Sequence, residues 1–103
     1  VDLVMRDGRV ADYGQDVKAC ALGQAAASVV GAAIVGCDAT QIRTARDQLH
    51  AMLKADGPDP DAPFDGLAVL RPAASYKNRH ASILLALDAS VEAVEQAQAA
   101  HSA

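Results

Sequence analysis

Residues 19–28 read Ala19-Cys20-Ala21-Leu22-Gly23-Gln24-Ala25-Ala26-Ala27-Ser28, and they follow without a break on an alternating, strand-like segment that begins near Gly8. This change of pattern predicts a helix directly after a strand, with Cys20 at the helix N-terminus. The unpaired N–H groups and the positive end of the helix dipole favour thiolate over thiol at such a position. Cys20 is therefore the first candidate for a residue that binds metal or attacks an electrophile.

A hairpin is predicted before this helix. Asp7-Gly8 readily adopts the positive φ angles of a tight turn, and the flanking segments 1–5 and 9–17 predict two antiparallel strands. The helix itself is predicted over residues 20–35 and is almost entirely apolar. We expect it to be buried except along one polar line, which consists of Cys20, Gln24 and Ser28 and continues to Gly31.

A second helix is predicted over residues 39–55. Gly36 ends the first helix, and Asp38 with Gln41 three residues later resembles a capping pair. Gly57-Pro58 is expected to end the second helix. Four aspartates and three prolines then crowd into residues 56–65, which predicts an exposed loop.

A third, long helix is predicted at the end of the chain. A short helical turn over residues 64–70 is expected first, before Pro72. The long helix is predicted to open at Tyr76 or Asn78 and to reach about residue 99. Its expected buried face consists of Leu84, Leu87, Val91 and Val94.

These elements predict an α+β fold, in which a small antiparallel sheet of two to three strands is covered on one face by three to four helices. A chain of 103 residues with 51% apolar content suffices for one domain, over residues 1–103. The opening Val1-Asp2-Leu3-Val4-Met5 already alternates like a strand, so we expect the natural polypeptide to continue upstream.

Charge and cysteine content argue against several classes of function. Nine basic and thirteen acidic residues give a net charge of −4 without a Lys/Arg cluster, so no nucleic-acid partner is expected. No stretch approaches the roughly 18 or more apolar residues of a membrane span, so we expect a soluble protein with no membrane partner. The two cysteines form neither a C-x-x-C pair nor a zinc spacing, and no secretory leader is visible, which favours the reducing cytoplasm.

Two motifs resemble one known family. Asp7-Gly8-Arg9-Val10 and Asp12, followed by Cys20-Ala21-Leu22 and a small-residue helix, resemble the core of the iron-sulfur cluster assembly scaffold family of the NifU-like, IscU and SufU type. That family has a D-G-R-I-x-D turn and strand and a G-C-A-I-S-x-A-S-A-S helix start. Asn78-Arg79-His80-Ala81-Ser82-Ile83-Leu84-Leu85 is similar to the family's last motif, a basic residue followed shortly by H-C-S-I-L or K-C-A-x-L.

The resemblance implies a metal site and a NifU/IscU-like fold. The family holds its nascent cluster, or zinc, with three cysteines and an aspartate, since soft thiolates suit both. Cys20 matches one of these cysteines, and the family's C-G-D group would fall a few residues before Val1. The third cysteine corresponds to Ala81 or Ser82, and neither side chain is a good soft-metal ligand.

His80 is the candidate second metal ligand, because an imidazole nitrogen could replace the missing thiolate. Gln24, Arg79 and Ser82 are expected to line the site. Each candidate also has a plain interpretation: Cys20 could be a small buried hydrophobe and His80 a hydrogen-bonded histidine. Cys37 is interpreted as structurally incidental, and the aspartates of residues 56–65 as a solvated loop without calcium-site geometry.

Three functions remain open at this point. The first is a scaffold or carrier, not an enzyme, that binds an iron-sulfur cluster, iron or zinc near Cys20. Its partners would be a cysteine desulfurase and cluster-acceptor proteins, as the resemblance implies. The second is a divergent paralogue that holds no cluster and acts as an interaction module. The third is a thiol-based redox enzyme that uses Cys20 as its nucleophile, with His80 or Arg79 lowering its pKa.

Overall fold

The computed structural model describes residues 1–16 and 19–102 of the chain. Two strands, β1 (Asp2–Arg6) and β2 (Arg9–Gly14), are followed by three α-helices, α1 (Ala21–Ala33), α2 (Ala39–Ala55) and α3 (His80–Ser102). Two 3₁₀ segments, Asp65–Ser75 and Lys77–Arg79, lie between α2 and α3. The predicted α+β class, with a small antiparallel sheet at the N-terminus and helices packed against it, is confirmed.

The hairpin forms where the sequence predicts it. Asp7 and Gly8 have φ angles of 53° and 77°, and β1 pairs with β2 in antiparallel register from Arg6↔Arg9 to Asp2↔Gly14. A register shift between Val4 and Met5 bends the pair. Described strand residues end at Gly14, earlier than predicted, and Val17 lies outside the described residues.

Helix α1 is less buried than expected. Its buried residues are Gly23, Ala26, Ala27 and Val30. Gln24 and Ser28 are exposed as predicted, but so are Ala21, Ala25 and Ala32. The prediction of a helix buried on all sides but one was therefore wrong. Alanine carries so little apolar surface that it is tolerated on either side of a helix, so a run of alanines does not reveal which side is covered.

Helix α2 begins with the predicted capping pair. The Asp38 carboxylate accepts a hydrogen bond from the backbone N–H of Gln41 at 2.8 Å, and the Gln41 side-chain oxygen accepts one from the N–H of Asp38 at 2.9 Å. The helix ends at Ala55 as predicted, and Asp56, rather than the expected Gly57, takes the left-handed conformation at its C-terminus, with φ 51°.

The segment between α2 and α3 differs from the prediction in length. The first 3₁₀ segment continues through Pro72 to Ser75 instead of ending before Pro72. Proline has no N–H to donate, but the φ angle that its ring fixes suits a 3₁₀ turn. The loop before it is held by Arg71, whose guanidinium lies 2.6 Å from Asp59 and 3.3 Å from Asp56.

Helix α3 begins at His80, later than predicted, because residues 77–79 form the second 3₁₀ segment. Its predicted buried face is confirmed and packs against α1 and α2, and it consists of Leu84, Leu87, Val91 and Val94. Within the described residues, no helix has the length and apolar character needed to cross a bilayer. The packing brings the N-termini of α1 and α3 together, and the candidate residues lie there.

Candidate functional site at the N-termini of α1 and α3

Cys20 is the N-cap residue of α1. Its backbone is extended, with φ −67° and ψ 172°, and its carbonyl accepts the first helical hydrogen bond, from the N–H of Gln24 at 2.9 Å. The side chain is half-buried, and the cysteine is free. The predicted position of the thiol at a helix N-terminus is confirmed, and the thiol is not sealed in the core.

Ser82 of α3 contacts Cys20 at two atoms. The Ser82 Oγ lies 3.2 Å from the Cys20 Sγ, and it accepts a hydrogen bond from the backbone N–H of Cys20 at 3.3 Å. When the sulfur is a thiolate, the Ser82 hydroxyl donates to it. The neighbouring Ala81 is exposed. Of the two residues at the position of the missing cysteine, Ser82 is thus the one whose side chain contacts the Cys20 sulfur.

Gly23 makes this contact possible. A Cβ atom on Gly23 would lie 2.7 Å from the carbonyl oxygen of Ser82 in α3. It would also lie 2.7 Å from the Cβ of Ala19, the residue before Cys20. Both distances are far below van der Waals contact. Only a residue without a side chain therefore allows α1 and α3 to approach this closely at the site. No role was predicted for Gly23, although a glycine inside a helical pattern is a signal of close packing.

The surroundings of Cys20 lower the pKa of its thiol to about 7. The largest cause is the hydrogen bond from Ser82, followed by the backbone N–H of Gly23. Partial burial opposes them, and smaller contributions come from the N–H of Leu22 and the positive charge of Arg79. Two of these four favourable groups are first-turn amides of α1, so the helix N-terminus favours the Cys20 thiolate for the predicted physical reason.

Replacing Ser82 with alanine is expected to raise the pKa of the Cys20 thiol toward the ordinary value for cysteine, because the group with the largest effect is lost. Thiolate then disappears as the pH falls through this higher pKa, so its share at pH 7 drops from about half to about a tenth or less. The pH dependence of Cys20 alkylation measures this change. Ser28→Ala, an exposed serine on the same helix, is the matched control and should titrate like the unchanged protein.

An open groove runs past the sulfur. It has a volume of about 460 Å³ and is lined by Cys20, Ala21, Leu22, Tyr76 and Arg79. Tyr76 is 59% exposed although it is a large aromatic side chain. The groove thus combines a thiol, an apolar wall and one cation. Leu22 and Tyr76, which line the groove, were not predicted to line the site.

His80 is buried and does not line the groove at Cys20. Its ring is buried, at 6% exposure, and Nε2 donates to the carbonyl oxygen of Ala74 at 2.9 Å. This contact joins the start of α3 to the end of the first 3₁₀ segment. The ring is not among the described residues that line the groove. Only Nδ1 is left for a metal, so the interpretation of His80 as a ligand stays a prediction.

The remaining predicted residues divide between two grooves. Arg79 lines the groove at Cys20. Gln24 does not line it: its side chain donates to the carbonyl oxygen of Ala19 at 3.2 Å, and it borders a neighbouring polar groove with Gln15, Ala27 and Ser28. The structure therefore brings Cys20, Ser82 and Arg79 together and places Gln24 beside them.

Cys37 shows what a cysteine without such surroundings looks like. It is 3% exposed, and its Sγ donates to the carbonyl oxygen of Ala33 at 3.4 Å. Burial raises the pKa of its thiol, and the charge of Asp38 adds to the effect. Among the described residues, no group of three or more His, Cys, Asp or Glu side chains lies close enough to hold a metal ion.

The chain closely matches a solved structure. The crystal structure of a nitrogen-fixing NifU-like protein (N-terminal) from Brucella abortus superposes with a TM-score of 0.90 at 45% sequence identity, over 93% of this chain and 67% of that chain. The chain belongs to the NifU-like family. The resemblance carried by the motifs is thus confirmed, and with it the family of iron-sulfur cluster assembly scaffolds. No family model and no curated protein matches this NifU-like chain.

Proposed function

We propose that this NifU-like chain is a scaffold or carrier for iron-sulfur cluster assembly, in which the Cys20 thiolate ligates iron or accepts sulfur. The single observation that carries the proposal is the Cys20 thiol, which lies beside an open groove and whose pKa is lowered to about 7. A thiolate is the form that binds iron and iron-sulfur units. The cluster is cargo that the protein passes on, so the role is not enzymatic.

The sulfur-accepting step follows from the chemistry of the thiolate. A cysteine desulfurase carries its sulfur as a persulfide. The Cys20 thiolate attacks the outer sulfur and the S–S bond of the desulfurase breaks. The thiolate released there takes up the proton of the outer sulfur, which leaves the new Cys20 persulfide as an anion. Arg79 lies beside the sulfur and stabilises the negative charge of the new persulfide. Cluster-acceptor proteins are the partners at the next stage.

The donor set limits what Cys20 does alone. A cluster needs several thiolate-type ligands, and the described residues supply one beside the groove. The other ligands of a bound cluster, of iron or of zinc come from His80 or from groups outside the described residues, such as thiols of a partner protein. His80 contributes only if its Nδ1 turns to the metal, because Nε2 is bonded to Ala74.

Anaerobic reconstitution of the NifU-like chain tests the proposal. The protein is incubated with ferrous iron, sulfide and a small reducing dithiol, which supplies the thiolate ligands that Cys20 alone does not, and a parallel sample receives zinc in place of iron and sulfide. Both samples are desalted and examined by visible absorption, Mössbauer spectroscopy and metal analysis. We expect a brown protein with sulfur-to-iron charge-transfer bands. A chain that stays colourless and retains neither iron nor zinc contradicts the proposal.

A second candidate is an interaction module for the same machinery that holds no cluster. The donor set of the described residues favours it, since Ser82 contacts Cys20 where a further thiolate would serve a cluster better. Titration calorimetry with a cysteine desulfurase separates the two candidates. Binding of the desulfurase by a chain that retains no metal supports the module, and metal retention supports the scaffold.

A further inference from the structure

A chain of polar side chains links β2 to α1 and α3 about two helical turns from Cys20. Ser90 of α3 is fully buried and donates to the carbonyl oxygen of Ala86 at 2.6 Å. Because Ser90 gives its proton to Ala86, the Tyr13 hydroxyl shares its one proton between the Ser90 Oγ at 2.9 Å and the side-chain oxygen of Gln15 at 3.2 Å. Gln15 in turn donates to the carbonyl oxygen of Ala27 in α1 at 2.7 Å. We call the side chains of Tyr13, Gln15 and Ser90 the polar latch.

Helix α1 has a gap that receives the polar latch. A Cβ atom on Gly31 would lie 2.8 Å from the side-chain nitrogen of Gln15. The amide therefore lies across the helix at a residue without a side chain, where it reaches the Ala27 carbonyl, one turn earlier. The Gln15 side chain is thus bonded to α1 through its nitrogen, and its oxygen accepts a share of the Tyr13 proton, which together restrict the rotamer of a flexible residue.

The polar latch and the Cys20 site are the two polar connections between α1 and α3 that the described residues show. One joins Cys20 to Ser82, and the other joins Ala27 to Ser90 through Tyr13 and Gln15. The spacings are seven residues on α1 and eight on α3, or about 10 and 12 Å along the two axes. The helices consequently run in the same direction, connected at two levels.

Between the Cys20 contact and the polar latch, the packed surface of α1 does little to fix the position of α1 along α3. The α1 residues buried there are Gly23, Ala26 and Ala27. Such small residues form shallow ridges, so the apolar packing of this stretch resists sliding or rotation of α1 on α3 less than larger side chains would. Directional hydrogen bonds among the partly buried Tyr13 and Gln15 and the fully buried Ser90 do resist it, since a shift would leave these groups unpaired.

We infer that Tyr13, Gln15 and Ser90 are positioning residues for Cys20: the polar latch sets the position of α1 on α3 and thereby holds the Cys20 sulfur against the Ser82 hydroxyl. A helix transmits a displacement along its length because it is rigid, so a shift at Ala27 moves Cys20 as well. The inference deepens the proposed function, on which it rests only for the importance of Cys20.

Two variants of the full chain break the polar latch in different ways. Gln15→Met keeps the length of the side chain and removes its amide. Gly31→Ala leaves Gln15 in place and pushes its amide away by a methyl group, and it is expected to fold because the displaced atoms are the end of a flexible side chain. Ser28→Ala, which is exposed on the same helix, is the control.

The readouts are the backbone amide NMR shift and hydrogen exchange of Cys20, whose N–H donates to Ser82, and the alkylation rate of Cys20. Alkylation is measured well above the thiol pKa, where the sulfur is fully ionised and the rate reports its contacts. We expect both latch variants to shift the Cys20 amide, to speed its exchange and to raise the alkylation rate about threefold or more, since a sulfur freed from a hydrogen bond is a better nucleophile.

The opposite result is equally clear. If both variants lower the melting temperature but leave the Cys20 amide and alkylation rate as in the unchanged protein, the polar latch contributes stability only, and the inference is overturned. If Ser28→Ala changes the readouts as much as the latch variants do, it is overturned too. No iron is used, so failure of the inference and failure of the proposed scaffold function appear in separate experiments.

Discussion

Replacing Cys20 with serine is expected to abolish iron-sulfur reconstitution, whereas replacing Cys37 with serine leaves it intact. Both variants exchange one sulfur for oxygen, so they are matched in chemistry and differ in place. Cys20 lies beside the groove with a thiol pKa of about 7, while the Cys37 thiol is buried and its pKa is raised. A serine hydroxyl does not ionise near neutral pH and is a hard ligand, so it replaces a thiolate poorly on iron.

The measurement compares iron and sulfide bound per chain, and the charge-transfer bands, for the unchanged protein and both variants. We expect Cys20→Ser to retain less than about a tenth of the iron of the unchanged protein. Cys37→Ser should fold, because its hydroxyl can donate to the same Ala33 carbonyl that the thiol contacts. Equal iron in Cys20→Ser and Cys37→Ser would show that the metal binds elsewhere, and the role of Cys20 would have to be abandoned.

The features that local chemistry decides were predictable from the sequence. The Asp7-Gly8 turn depends on two residues that tolerate positive φ, and the Asp38 and Gln41 cap depends on two side chains three residues apart. Cys20 at the start of α1 belongs to the same class. Each of these signals is complete within a few residues, so no knowledge of tertiary packing was needed.

The features that packing decides were predicted less well. Helix α3 starts at His80 and not at Tyr76 or Asn78, because Tyr76 is non-helical with ψ 74°, Asn78 lies in a 3₁₀ segment, and the His80 ring is bonded to Ala74. The rotation of α3 about its axis then decides which residue faces Cys20, and in the structure it is Ser82 and not Ala81. The sequence left both residues open, since one residue of phase rotates a helix by about 100°.

The groove itself could not be predicted from periodicity. Its apolar wall includes Leu22 and Tyr76, which come from segments that are distant in the sequence. The hydrophobic pattern of each segment does not indicate that these two residues line a common groove. The exposed alanines of α1 illustrate the same limit, because small residues report packing distance and not burial. What a sequence shows of such close packing is a glycine within a helix, and α1 has two.

Replacing the first of these, Gly23, with alanine is expected to destabilise the protein and to disrupt the Cys20 site together. Intrinsic helix propensity favours alanine over glycine by about 1 kcal/mol. Against this, the new Cβ would lie 2.7 Å from the Ser82 carbonyl oxygen, a backbone atom that moves only with α3 itself. Overpacking of this kind typically costs about 1–3 kcal/mol, and a rigid neighbour places the cost in the upper part of that range. We therefore expect a net loss of about 1–2 kcal/mol.

Thermal unfolding followed by circular dichroism measures this loss, which corresponds to a fall in melting temperature of roughly 5–10 °C for a domain of this size. Gly31→Ala is the matched control, because it adds the same methyl group to the same helix but meets only the flexible end of Gln15. Its propensity gain and the loss of the Gln15 hydrogen bond nearly cancel, so its stability should stay within about 1 kcal/mol of the unchanged protein.

The same Gly23→Ala substitution should raise the pKa of the Cys20 thiol, since the Ser82 hydroxyl that lowers it most is pushed away from the sulfur. Thiolate is then lost as the pH falls through the higher pKa, and Cys20 alkylation at pH 7 slows. A Gly23→Ala protein as stable as the unchanged one, with an unshifted thiol pKa, would mean that α3 yields to the methyl group without moving Ser82. In that case the close approach of the two helices would not be what gives Cys20 its reactivity.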